Sequence, residues 1–364
     1  MRIPFINLQS EWKFFEKKFL PAFKKFGQSG MYVLGPEVEK FEVDFASYTG
    51  YRYGVGLSTG LSALETALRA YGIGPGDEVI TVPNTAVATV LAISAVGAKP
   101  VLCDVGYDFL IDPSKIEDLI TKKTKAILPV HLFGKICDMK MINRIAKKYG
   151  LKVIEDACQA HGAQFKGESA KNTKAFSFYP TKNLGALGEG GAIVTNDKKI
   201  RDFALSYRNY GQEGRYHHMI KGVNYRFEPL HCMLLSIKLK YLDSFIQKRR
   251  NIAKKYIQNL GNLSELEVGE FDTTSAYHLF VVRVTNNRRA ELQKFLQKQG
   301  IDTLIHYPTA VHMQPCYREE FKGLSLTQVD VFQKEILSLP CHPFMKDREV
   351  NEIVKQIRLF FQNV

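Results

Sequence analysis

The 364-residue sequence contains no CxxC pair, and its six cysteines (Cys103, Cys137, Cys158, Cys232, Cys316 and Cys341) are widely and irregularly spaced. That pattern argues against a disulfide framework and against a zinc ribbon. No HExxH run or Cys/His cluster occurs, and His217-His218 lacks ligand spacing, so no metal is expected. The N-terminal stretch meets charge before any apolar core, so no secretory signal is expected; with Cys103 and Cys158, in or at the end of apolar strand patterns, reading as buried free thiols, this points to a reducing cytoplasm. Internal repeats, low-complexity tracts and long linkers are also missing, which predicts closely packed units. Formal charge is +13, with basic clusters at residues 122–125, 147–148 and 248–250. None is interleaved with aromatics, so no nucleic-acid partner is expected, and the field suits an anionic substrate instead. One uncharged run, residues 79–98, has the length of a membrane span. Pro83, Asn84 and Gly97 interrupt it, and its period changes after Pro83. It reads as a buried strand (79–82), a turn and a buried helix (85–96), and no membrane partner is expected.

What the sequence does contain is alternation. Strand patterns at residues 53–56, 78–82, 100–104, 126–130, 152–155, 175–178 and 192–195 are separated by helix-length segments, including 62–71, 85–96, 113–120 and 139–149. This predicts an α/β fold with a mostly parallel sheet. Ligands of such sheets bind at the carboxyl ends of strands, where Asp156 and residues 58–62 and 129–134 fall. Beyond residue 230 a lysine-rich helical pattern runs to about 260, followed by a strand pattern near 277–284 and helices near 288–299 and 350–361. The expected organisation is a large domain over 1–240, with an N-terminal arm, and a smaller α+β domain over 241–364.

Two segments carry chemistry. Lys182 follows the aromatic strand pattern Phe176-Ser177-Phe178 and Pro180, and precedes a run with four glycines ending at Gly191. A lysine fixed on a strand-to-loop edge suits formation of an imine. About two dozen residues upstream, the apolar strand ending in Glu155-Asp156 is followed by Gln159. A strand-end acid and a reachable lysine are what pyridoxal 5'-phosphate (PLP) requires: the acid keeps the pyridine nitrogen protonated, and the lysine reaches C4′.

Together these segments resemble the DegT/DnrJ/EryC1 family of PLP-dependent sugar aminotransferases, and the resemblance extends from Pro4-Phe5-Ile6-Asn7-Leu8 to His306-Tyr307-Pro308. It implies fold type I, an imine between Lys182 and PLP, and Lys182 as the base for the proton shift. Alternation sends either Glu155 or Asp156 across the sheet top; the resemblance selects Asp156 for the pyridine nitrogen and gives Gln159 the phenolic oxygen. Phosphate donors would come from three places. The first is the helix start Gly60-Leu61-Ser62, with its free N–H groups and the Ser62 hydroxyl. The others are Ser177 and Asn224, and the resemblance has Asn224 reach across a homodimer interface to the partner's site. Leu61 departs from the family's threonine. Ala86 in Asn84-Thr85-Ala86-Val87-Ala88-Thr89 stands where the family often stacks an aromatic on the ring. His306, Tyr307 and His312 resemble a segment bordering the sugar-nucleotide site, and Arg226 or Arg208 would suit a donor carboxylate.

The expected activity is transfer of an amino group from an amino acid, best L-glutamate, to a nucleotide-linked keto-sugar. The order Arg208-Asn209-Tyr210-Gly211-Gln212, then Gly222-x-Asn224-x-Arg226, leans towards 3-keto-6-deoxyhexoses over 4-keto sugars. A PLP-binding regulatory protein is the other reading within the family. A dehydratase offshoot would need histidine in place of Lys182. A nicotinamide reading of Gly54-x-Gly56-x-x-x-Gly60 misses the usual spacing and leaves Lys182 and Asp156 without a role.

Overall fold

Short aliphatic runs closed by glycine, proline or asparagine nucleate the strands, and the computed structural model describes residues 2–165 and 171–362. Strands β1 (Tyr53–Leu57), β2 (Glu78–Thr81), β3 (Lys99–Leu102), β4 (Thr124–Ile127), β5 (Lys152–Asp156), β6 (Thr173–Ser177) and β7 (Gly191–Thr195) form one sheet. Their order is β1-β7-β6-β5-β4-β2-β3. Only β7 runs against its neighbours; the other pairings are parallel. β2, β6 and β7 are buried at every position, as strands covered on both faces must be. Every expected strand is present, with ends shifted by at most three residues.

Three helix expectations need correction. The helix expected over 85–96 begins only at Ala88 (Ala88–Ala95). Pro83 and the β-branched Thr85 disfavour an earlier start, and the Thr85 hydroxyl instead meets that of Thr89 at 2.8 Å. Residues 113–120 form two separate 3-10 turns, Pro113–Lys115 and Glu117–Leu119, because Asp112 caps the N–H and hydroxyl of Ser114 and the stretch is too short to propagate. The long pattern from 230 is two helices, Pro229–Leu239 and Leu242–Leu260. No glycine or proline marks the break. Tyr241 meets Phe14 and Phe15 edge-on at 5.4 Å, and Lys238 turns inward to the Gly185 carbonyl and Glu11. Tertiary contacts, not local propensity, end the first helix.

A second sheet, antiparallel throughout, comprises β8 (Leu266–Val268), β9 (Phe280–Val284) and β10 (Ile336–Leu339) in the order β10-β9-β8. Its core joins Ile252, Tyr256 and Leu260 to Leu292, Leu296 and Ile353. Packing crosses residue 240 in both directions: Ile3 lies in this second core, bridged to Ile301, while Val311, Tyr317 and Phe332 lie in the core of the large sheet. Among the described residues, no helix is long and apolar enough to cross a membrane.

Candidate active site

The carboxyl edge of the large sheet gathers the reactive side chains, and the end of β5 separates its two acids. Adjacent residues of a strand face opposite sides. Glu155 turns into the interior, where its carboxylate lies 2.6 Å from Lys174 Nζ and 2.7 Å from His131 Nε2, and accepts from Asn172 Nδ2 at 2.8 Å. Both Glu155 and Lys174 have fully buried side chains. Burial pushes the Glu155 carboxyl up, but His131 and Lys174 outweigh it and hold the group below its ordinary value. Burial pulls Lys174 down against the counter-pull of Glu155. Asp156 faces the other way. Its Oδ2 accepts from the Thr89 hydroxyl at 2.8 Å, and its Oδ1 from the Cys158 N–H at 3.0 Å. The carboxylate is thus buried and fixed without a direct cationic partner among the described residues.

Lys182 sits five residues beyond the end of β6, in a turn closed by its own N–H to the Tyr179 carbonyl (2.9 Å) and by Ala186 N–H to the Phe178 carbonyl (2.8 Å). Gly185 is required there, since a Cβ would come within 2.3 Å of the Pro180 carbonyl oxygen. Asn183 anchors the next position by donating to the carbonyls of Ala276 (3.1 Å) and His161 (3.3 Å). Lys182 is half-buried. Burial lowers its amine below the ordinary lysine value, although Cys158 and Asp156 act to raise it. A less basic amine is more often neutral, and therefore nucleophilic, near pH 7.

Helix Gly60–Ala70 opens beside the end of β6. A Cβ on Gly60 would come within 2.6 Å of Ser177 Cβ and 3.0 Å of Cys158 Sγ, so only glycine permits this approach. Thr59 and Ser62 form a capping box: the Thr59 hydroxyl accepts from Ser62 N–H (2.9 Å), and Ser62 Oγ accepts from Thr59 N–H (2.9 Å). The Ser62 hydroxyl also donates to the Thr59 carbonyl at 2.8 Å. It is therefore occupied in capping rather than open to a ligand, which corrects the expectation for that hydroxyl. The N–H groups of Gly60 and Leu61 have no recorded acceptor among the described residues. Ser177 Oγ accepts from Tyr179 N–H at 3.3 Å, a long bond that leaves its hydroxyl proton to donate.

Gln159 links two further loops. Its Oε1 accepts from Phe133 N–H (2.8 Å), and its Nε2 donates to the Tyr307 hydroxyl (3.1 Å). The neighbouring His306 has Nδ1 2.8 Å from Ser338 Oγ and stacks on Phe5 at 5.6 Å. Its ring is lowered to about 4 by burial and by the Lys182 charge. His306, Tyr307, Gln159, Asp156 and Lys182 therefore interact as one group.

Other expected residues lie elsewhere. His312 packs against helix Thr327–Glu335, 3.4 Å from Asp330. Arg208 is buried against Glu42 and the Gly56 carbonyl, so it is structural and not a receptor for a donor carboxylate. Asn224 is exposed, accepting from Arg226 Nε at 2.9 Å, while Arg226 also reaches Asn209 and the face of Tyr210. Neither has a recorded contact with the Lys182 group within this chain. Ala86 is half-buried on the bend before Ala88, its carbonyl accepting from Thr89 N–H. Cys158, expected as a buried thiol, is partly exposed beside Gly60. Thr89 was missed, although it lay in the run inspected for Ala86, and so were His161 and His278. His161 is enclosed by Phe45, Phe176 and Phe178 and pulled down to about 3 by burial. Cavity size alone would have misled: a hollow of about 760 Å³, lined in part by Tyr48, Asp243 and Arg250, touches neither Lys182 nor Asp156.

A seven-strand sheet with a small antiparallel C-terminal sheet and a lysine past a strand-end acid is the architecture of the fold-type-I aminotransferases. The chain belongs to the DegT/DnrJ/EryC1/StrS aminotransferase family, whose model matches residues 14–358. It is 46% identical over 363 residues to a dTDP-3-amino-3,6-dideoxy-alpha-D-galactopyranose transaminase of Aneurinibacillus thermoaerophilus, covering 98% of this chain and 99% of that one. It is similar to the crystal structure of DesV from S. venezuelae in complex with a ketimine intermediate. There the TM-score is 0.96 at 39% identity, covering 100% and 99% of the two chains. NtdA from Bacillus subtilis, solved with bound cofactor PMP, matches with a TM-score of 0.94 at 32% identity over 99% of this chain and 85% of that one. Family membership removes the nicotinamide reading.

Proposed function

We propose that the protein is a PLP-dependent aminotransferase that moves an amino group from an amino acid, L-glutamate by preference, to a nucleotide-linked 3-keto-6-deoxyhexose. One observation carries this reading: Lys182, half-buried and reduced in basicity, shares a site with Asp156, an acid fixed by two donors at a strand end. The 46% identity to a 3-amino-3,6-dideoxy sugar transaminase supports the 3-keto assignment over the 4-keto one.

The residues present suit the cofactor. Gly60 leaves a cradle that a Cβ would fill, and the N–H groups of Gly60 and Leu61 with the Ser177 hydroxyl offer donors to a phosphate. Asp156 would face the pyridine nitrogen, its orientation set by Thr89 and Cys158, and Gln159 would hold the phenolic oxygen. When bound, PLP supplies an electrophilic carbon and an electron sink. The chain supplies the rest. Lys182 Nζ, made less basic by burial, would hold the cofactor's electrophilic carbon and, when freed by the donor, would take the proton from the donor's Cα. Asp156 would hold a proton on the nitrogen opposite it. His306, Tyr307 and Arg226 are the side chains assigned to substrate, while His312, packed against Asp330, lies apart from them. Ala86 leaves the ring face to be covered by a larger neighbour or by substrate.

The working unit is a homodimer with shared sites. Asn224 is exposed on its own chain, with the half-buried Arg226 beside it, which supports a role across the interface. The division at 240/241 separates the cofactor-binding domain from the smaller one, and the free thiols suit a cytoplasmic setting. The test is a panel of 3-keto and 4-keto nucleotide sugars with L-glutamate, followed by mass spectrometry. Amination of the 3-keto-6-deoxy members is expected. Amination of 4-keto members alone would move the assignment, and none from any donor would refute it.

A further inference from the structure

Behind the Lys182 turn lies a second cavity, of about 230 Å³, lined in part by Thr181, Arg249, His278, His306, Cys341 and His342. Among the described residues, none that lines it carries a carboxylate. Its volume falls below the roughly 300–1,000 Å³ of sites that enclose a drug-sized ligand, so it admits a small molecule and not a sugar nucleotide.

Its polar groups are incompletely satisfied. Arg249 is only 4% exposed, and its Nη1 donates to the carbonyls of Cys341, His278 (3.2 Å) and Tyr277 (3.3 Å), while its Nε has no partner. The guanidinium is thus buried on neutral carbonyls. Glu11, the acid whose charge reaches it, is already paired with Lys238. His342 is 4% exposed; neither ring nitrogen has a well-formed hydrogen bond among the described residues, although the Pro4 carbonyl lies close enough to act on the ring. His306 and His278 use Nδ1 on Ser338 (2.8 Å) and Asn183 (3.4 Å), and no hydrogen bond is recorded at Nε2 of either. Burial, joined by the charges of Lys182 or Arg249, lowers all three rings, so each is neutral at pH 7 and keeps one N–H to donate. A buried cation without a carboxylate, ringed by unsatisfied donors, favours an anion.

We propose that this cavity receives a carboxylate of the amino donor, a dicarboxylic amino acid of the glutamate class, with Arg249 as the fixed charge and His278, His306 and His342 as donors. The proposal rests on the aminotransferase reading, and it moves His306 from the sugar side of the site to the donor side. The Thr181 wall places the bound donor next to the lysine that it must displace. Carboxylate from the donor and phosphate from a nucleotide share this chemistry, and the small volume selects the former.

The experiment is calorimetric titration of the holoenzyme with glutarate, which has neither amine nor ketone and so cannot react. Glutarate should bind, L-glutamate should compete with it, and dTDP should not. His342→Asn and His306→Asn, checked for fold by circular dichroism, should each weaken glutarate about 10-fold or more, as expected for losing a hydrogen bond to a charged group. The same variants should raise the L-glutamate concentration at half-saturation of the half-reaction. Arg249→Lys adds to the set only if it folds; the histidine variants decide without it. Absence of glutarate binding, competition by dTDP, or unchanged affinity in both histidine variants would overturn the proposal. Failure of the aminotransferase reading looks different: no amino acid would react with the wild-type protein, whatever glutarate does.

Discussion

Replacing Glu155 and Asp156 one at a time by their amides should give opposite signatures, because neighbouring acids occupy unlike environments. Glu155→Gln leaves the shape intact but removes the negative charge 2.6 Å from a fully buried Lys174. Breaking a buried ion pair from one side costs about 3–5 kcal/mol, since the remaining cation loses its closest carboxylate. For 364 residues, at about 2.1 cal/mol/K each, the unfolding entropy is about 0.76 kcal/mol/K, so the melting temperature should fall by about 4–7 °C. Adding Lys174→Met should recover part of that loss, because the buried cation is removed together with its carboxylate. Asp156→Asn keeps an acceptor for the Thr89 hydroxyl or the Cys158 N–H, costs about 1–2 kcal/mol and should lower melting by no more than about 3 °C. Its effect should appear instead in single-turnover absorbance, as a proton-shift step slowed by about 10²-fold or more. Melting is best compared on cofactor-free protein, because a ligand bound only to the folded state would stabilise the variants unequally. If Glu155→Gln melts with wild type yet loses turnover, while Asp156→Asn turns over normally, the two roles are reversed and the site model fails.

Borohydride reduction followed by peptide mapping should place a pyridoxyl mass on the peptide containing Lys182, and Lys182→Arg should abolish turnover with the fold intact; a label on any other lysine sinks the mechanism. Stability should fall as pH drops below about 6.5, because His161, His306 and His342, lowered by burial to about 3, 4 and 4, bind protons in the unfolded chain before the folded one. For His161 alone the loss approaches about 4 kcal/mol near pH 3, and denaturant titration of His161→Phe should show a flatter acid limb if that ring is a cause. Mixing inactive Lys182→Ala and Asn224→Asp subunits should restore about half of the wild-type activity per mixed dimer, since one site then carries neither lesion; no recovery despite proven exchange would mean that Asn224 acts within its own chain.

What the sequence made legible was local, and the reason is physical. Alternation along β5 required Glu155 and Asp156 to part, and glycine before a helix start required a close approach, which Gly60 makes to Ser177. Side-chain commitments were not legible even where the residues were noticed. Ser62 stood in the right place for a phosphate, but Thr59 three residues earlier turns it into half of a capping box. Arg208 resembled a free guanidinium because its partner, Glu42, is 166 residues away. The split near residue 240 had no breaker to announce it, as the contacts of Tyr241 come from the N-terminal helix.

The Arg249 cavity is the extreme case of the same limit. Arg249 lies on the helix Leu242–Leu260, His278 just before β9, His306 between β9 and β10, and His342 just after β10. Taken singly, each histidine has the appearance of a core residue, and burial does lower every one of them. The arginine, on a lysine-rich helix, has the appearance of one more surface charge. Only when the C-terminal sheet packs against the Lys182 turn do the four meet, and only then does the absence of any acid among them become visible. A donor site built in this way depends on the packing of the second sheet against the Lys182 turn, and its wall includes Phe5 and Ile6, which follow closely on the bridge from Ile3 to Ile301.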